Sequence, residues 1–91
     1  MRNYEIKNVT QVLELSPLPE QNQKSFYGKA KVYITPDYQY LTSYDEVICR
    51  KSSEGRVERI WLGSTTTTRK HIKAFTGLLK RDYDLCPEAE L

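Results

Sequence analysis

The sequence predicts an α+β domain, a small antiparallel sheet of about 3–4 strands packed against a C-terminal amphipathic helix. Three observations lead there. Phe26, Gly28, Ala30, Val32 and Ile34 alternate with Tyr27, Lys29, Lys31 and Tyr33, the period of a strand with one dry face. Short apolar runs at 39–42, 47–49 and 57–62 follow, each bounded by turn-forming residues. From the threonine run onward the period lengthens to about 3.6 residues: Thr68, Ile72, Phe75 and Leu79 share one helix face, with Arg69, Lys70, Lys73, Lys80 and Arg81 opposite.

The elements are justified in chain order. Within 4–15, Val9, Val12 and Leu13 have helical spacing, while Tyr4, Ile6 and Asn8 suit a short strand, and both readings stand. Pro17 and Pro19, with polar residues to position 23, stop whatever forms there. Residues 1–23 thus read as an arm or short element, 24–81 as one α+β domain and 82–91 as a loosely held acidic tail. The strand that starts at Phe26 carries small residues, Gly28 and Ala30, where a helix can approach. Thr35-Pro36-Asp37 is a turn, since proline presets φ and aspartate bonds back to the chain. Ser43-Tyr44-Asp45 is a bend, a bulge or a tight reversal, and Ser52-Ser53-Glu54-Gly55 suits a hairpin reversal. Four consecutive threonines are poor helix interior, so the cap falls on Ser64, Thr65 or Thr66, and the helical period holds to about Arg81.

Bulk properties narrow the function classes. A chain of 91 residues holds one domain with a thin core, too small for a large cleft. Its net charge of +2 comes from 14 basic and 12 acidic residues. Asp82, Asp84, Glu88 and Glu90 crowd the end and mask a stretch from Arg59 to Arg81 that has no acid at all. Two cysteines, Cys49 and Cys86, are too few for a disulfide framework and have no zinc-ligand spacing, so reduced thiols in a cytosol are expected. No apolar run suits a signal peptide or a membrane span. A soluble cytoplasmic protein without membrane partner or cofactor is the expectation.

Three constellations carry candidate chemistry. Tyr27, Lys29, Lys31 and Tyr33 share the wet face of the first long strand, and Tyr40 and Tyr44 follow closely. Rings between ammonium groups can stack bases and hold phosphates, or equally form a solvated sheet face on which tyrosines shield lysine stems. Arg69, Lys70 and Lys73 on the helix can track a phosphate backbone or simply keep that face soluble. The threonine run offers hydroxyls and free N–H groups at a helix start, which suits either an anion or plain capping. His71 borders the apolar helix face as a packed, hydrogen-bonded residue, and no nucleophile, metal set or phosphate loop stands at a catalytic spacing from it. The chain therefore reads as a non-enzyme.

Lys24-Ser25-Phe26-Tyr27-Gly28-Lys29-Ala30, then Leu41-Thr42-Ser43-Tyr44-Asp45-Glu46-Val47, then Thr67-Thr68-Arg69-Lys70-His71-Ile72 together resemble an uncharacterised small domain of phages and prophages of Gram-positive bacteria. The resemblance spans roughly residues 24–80. Glu46 stands where that group usually has threonine, and Lys70 where it usually has arginine, which weakens any bidentate contact there. The resemblance implies a mobile-element setting and no defined activity. Two functions are expected from it. The leading one is a non-enzymatic accessory protein binding nucleic acid weakly through Tyr27, Lys29, Lys31, Tyr33 and the helix cations. The alternative is an inhibitor that occludes a host protein with the same surface, in the manner of an anti-defence or anti-CRISPR protein. A homodimer through an exposed strand edge or the Trp61 region is a third expectation.

Overall fold

The computed structural model describes residues 5–21, 26, 28–63 and 65–90. Five strands form one antiparallel sheet in sequence order: β1 (Gln11–Glu14), β2 (Ala30–Ile34), β3 (Tyr38–Ser43), β4 (Glu46–Ser52) and β5 (Val57–Arg59). Two helices follow, α1 (Thr66–Thr76) and α2 (Lys80–Asp84). The sheet has one strand more than the sequence period predicts. The extra one is β1, whose short QVLE run cannot be told from a helical turn until β2 is there to pair with it.

Both faces of the sheet are covered. On one, Val32, Leu41, Cys49 and Val57 pack with Ile72 and Phe75 of α1 and Tyr83 of α2. On the other, Tyr40 packs with Ile60 and Ala89, flanked by Ile6, Tyr33, Tyr38 and Val47. A register shift between Leu41 and Thr42 leaves Ile48 as an extra residue in β4, so Ile48 and Cys49 both enter the helix-side core. The Ile48 carbonyl then accepts from both the Ile60 and Trp61 N–H groups at 2.9 Å. That shared acceptor follows directly after Arg59, where β5 ends, three residues short of the run to Leu62 that alternation suggests.

The strand expected from Phe26 begins only at Ala30. Gly28, at φ +67, turns the chain, and the Lys29 and Ala30 amides donate back to the Phe26 carbonyl. Gly28 thus serves a turn and no helix approaches it, since a Cβ there would meet nothing within 4 Å. Tyr44 and Asp45 both adopt positive φ, 51° and 68°, which resolves that segment as a tight two-residue reversal. Thr65 caps α1, its hydroxyl accepting from the Thr68 amide at 3.1 Å; Ser64, the alternative cap, lies outside the described residues.

The helix does not run to Arg81. Gly77 takes a left-handed φ of 77° and its amide donates to the Lys73 carbonyl, closing α1 at Thr76. Leu79 is consequently lost from the apolar face and is 61% exposed. Nor is the tail loosely held. The Arg59 amide donates to the Pro87 carbonyl, the Ala89 amide to the Arg59 carbonyl, both at 2.8 Å, and Ala89 is buried. The backbone of 87–89 thereby covers the edge of β5.

Candidate partner-binding site

Antiparallel register sets Val12, Tyr33, Tyr40, Arg50 and Glu58 opposite one another in a row across all five strands, on the face away from α1. Tyr40 is 6% exposed and packs edge-on to Tyr38 at 5.9 Å. The Arg50 guanidinium lies 4.0 Å over the Tyr38 ring and donates from Nε to Glu58 at 2.7 Å. Burial works against the Arg50 charge, but the Glu58 carboxylate and the Tyr40 hydroxyl more than offset it and hold the group protonated. These rings are used in packing and cation–π contact. Tyr33 is half-buried against the same cluster, and Lys31 stands beside Glu14 and Thr42. Tyr27 lies outside the described residues.

The remaining candidates fall elsewhere. Lys29 and Tyr44 meet at the β3–β4 corner, with the ammonium 6.0 Å from the ring centroid and the Tyr44 amide donating to the Lys29 carbonyl at 2.9 Å. Beneath them Ser43 Oγ shares a 2.8 Å hydrogen bond with His71 Nδ1, and the Phe26 ring meets the imidazole edge-on at 4.7 Å. The segments around Phe26, Ser43 and His71 therefore converge on one buried histidine. Ser43 and His71 are 2% and 0% exposed, so this bond ties β3 to α1 and presents no nucleophile to solvent. The threonine run is engaged likewise: the Thr65 hydroxyl donates to Thr68 Oγ1 at 2.9 Å, and Thr68 is buried.

Arg69, Lys70 and Lys73 stand on the outer side of α1, across the sheet from Lys31 and Tyr33. The structure thus brings the helix cations together, pairs Lys29 with Tyr44, and separates both sets from the tyrosine face. The single ring-studded basic surface expected from the sequence is split because α1 packs on the Val32 and Leu41 face of the sheet, opposite Lys31 and Tyr33, and because β2 begins only at Ala30, which leaves Lys29 in the preceding turn.

What gathers around the helix cations is a groove of about 410 Å³. Its floor is Ile72, Leu78 and Leu79, and its rim carries Arg69, Lys70, Lys73 and Lys80. Gly77 creates it, because ending α1 there turns two leucines and Lys80 back alongside the helix. Carboxylates already meet part of the rim. Asp84 bridges Arg69 and Lys80 at 3.0 Å each, and Glu20 reaches Lys73 at 3.5 Å. Hydrogen bonds from Lys80 and then Arg69 hold the Asp84 carboxyl below the ordinary aspartate range. Lys70 has no carboxylate partner among the described residues. Gln21 anchors the chain beside it, donating from Nε2 to the Lys70 carbonyl at 3.1 Å. Leu78 and Gln21 are members of the groove that sequence periodicity misses, while Leu79, which periodicity places on the apolar face of α1, reaches the groove only because Gly77 ends the helix; that glycine is the signal for it.

Among the described residues no three His, Cys, Asp or Glu side chains gather as metal ligands would, and no helix is long and apolar enough to cross a membrane. Neither the curated proteins nor the solved structures contain a match to the chain. A family model does match it, over residues 13–89, that of a family of unknown function, DUF8033. The chain belongs to that family.

Proposed function

We propose that this member of the family is a non-enzymatic accessory protein that acts by binding a host protein, seating an acidic, partly apolar segment of it in the groove beside α1. The observation that supports this reading is the joining of an apolar floor to a basic rim. A carboxylate-bearing segment meets Arg69, Lys70, Lys73 and Lys80 while its apolar side chains cover Leu78 and Leu79, gaining roughly 25 cal/mol for each Å² removed from water. Asp84 and Glu20 mark where carboxylates fit on that rim. The resemblance to small phage and prophage domains gives the reading its setting, a mobile-element protein that disarms a host factor by occupying it.

Weak nucleic-acid binding is the second reading, favoured by Arg69, Lys70 and Lys73 lying along one side of α1. A phosphate chain gains nothing from the leucine floor, and the Tyr38 and Tyr40 rings are already engaged, which ranks it second.

A photo-crosslinking side chain at position 79, used in nuclease-treated host lysate, tests the proposal. The expected result is one discrete protein adduct that disappears in Lys70→Glu/Lys73→Glu. An adduct indifferent to that charge reversal, or none, overturns it. Fluorescence anisotropy with labelled single- and double-stranded oligonucleotides separates the second reading: an affinity falling with salt at a slope of about −0.9 per phosphate contact favours nucleic acid.

A further inference from the structure

We propose that the outer edge of β1 is the place where a second copy of this chain joins, β1 against β1 about a twofold axis, making one sheet that runs through both copies. The inference is independent of the groove. The two sheet edges are treated differently in this fold. The β5 edge is covered by the backbone of 87–89 through two hydrogen bonds. The β1 edge has no strand or loop paired to its outer side among the described residues, and all four of its residues are exposed. Val9, Val12 and Leu13 are 37%, 48% and 42% exposed, three of the seven large apolar side chains left in solvent among the described residues. An edge of this kind is usually blunted by lysine, proline or an inward charge. Gln11–Glu14 contains neither lysine nor proline, and its one charge, Glu14, is exposed.

Register makes the edge self-complementary. The Leu15 amide donates to the Ala30 carbonyl directly opposite it, so Leu13–Val32 and Gln11–Ile34 are the next inward hydrogen-bonded pairs. The N–H and C=O groups of Val12 and Glu14 then point outward. A twofold axis through Leu13 pairs Val12 of each copy with Glu14 of the other, which satisfies all of these outward groups. Leu13 meets its own symmetry mate in the closer, non-hydrogen-bonded type of pair, with Leu15 of the other copy diagonal to it. Leu15 is packed against the helix-side core, so this contact makes the two cores continuous. Glu14, the only charge in β1, faces Val12 across the axis and keeps Lys31 beside it in its own copy, so no like charges meet.

Sedimentation equilibrium of the full chain up to about 1 mM, the range where contacts this small register, tests the proposal. The mass should climb from 10.7 kDa toward twice that value with concentration. Val12→Pro takes no N–H from the β1–β2 ladder but removes the outward one and fixes φ there, and should leave the chain a monomer, whereas Leu62→Lys, at an exposed leucine elsewhere, should leave the dimer intact. In the unaltered chain, exchange at the Val12 and Glu14 amides should slow as concentration rises while Gln11 and Leu15 stay unchanged. A monomer at every concentration, a dimer indifferent to Val12→Pro, concentration-dependent protection elsewhere only, or uptake of an unrelated extended peptide in place of self-pairing overturns the proposal.

Discussion

Tyr83 shows how single groups in this core are tuned. Its hydroxyl is buried with no hydrogen-bond partner among the described residues and lies beside the Cys49 thiol. A stranded donor of this kind costs about 1–3 kcal/mol. Tyr83→Phe should therefore stabilise the protein, by about 1 kcal/mol, read as a higher midpoint in urea unfolding; a loss of stability would mean the hydroxyl has a partner. The Arg50–Glu58 pair is the opposite case, a buried charge given a carboxylate, a ring and a hydroxyl at once. Sequence alternation places Tyr33 on the opposite side of β2 from Val32, on a face expected to be wet. It cannot say that both faces are covered, because the apolar residues of the second face, Ile6, Ile60 and Ala89, come from the two ends of the chain and the β5 exit.

At the scale of elements, α1 is held by devices at both ends. Thr65 satisfies the Thr68 amide at its start, and Lys51 on β4 donates to the Phe75 carbonyl at 3.2 Å near its end, with its ammonium 4.7 Å from the Phe75 ring. Gly77 closes it with a left-handed φ that has no steric objection from neighbours, since a Cβ there meets nothing within 4 Å. Gly77→Ala should thus cost about 1 kcal/mol through backbone strain alone. Urea unfolding reads that loss, and an equal loss in groove binding would show that α1 had been extended over Leu78 and Leu79. The start of α1 and its apolar face were legible in the sequence from the threonines and from Thr68, Ile72 and Phe75. Its end was not, because continuing the helical period through Gly77 fits Leu79 equally well on paper, and only the αL turn breaks that fit. Most of the candidate groove depends on this turn and stayed hidden with it. The cations of its rim were legible; its leucine floor was not.

For the molecule as a whole, the titrating groups of the core set the pH range of stability. Burial, followed by the neighbouring Cys86, pushes the Cys49 thiol up to about 12, although the adjacent Tyr83 hydroxyl and Lys51 pull the other way. Burial and Cys49 raise Tyr83 as well. Both groups have folded pKa values above their unfolded ones, so the unfolded chain loses protons first as pH rises. Their contribution is fully present below the ordinary thiol value of 9.0 and declines from there toward about 12. Urea midpoints should be level from pH 7 to the unfolded thiol pKa and fall above it, and Cys49→Ala with Tyr83→Phe should flatten that fall. Taken alone, the sequence determined the α+β class, the dry face of β2, the helix start and the gathering of cations after Arg59, because each follows from the local period of apolar and charged residues. Tertiary structure alone decided that Gln11–Glu14 becomes a sheet edge, that the acidic end docks against β5 and α1, and that the helix cations and the sheet tyrosines fall on different sides. Those outcomes depend on pairing between segments far apart in the chain, and no local period records which partner a strand or a carboxylate will meet.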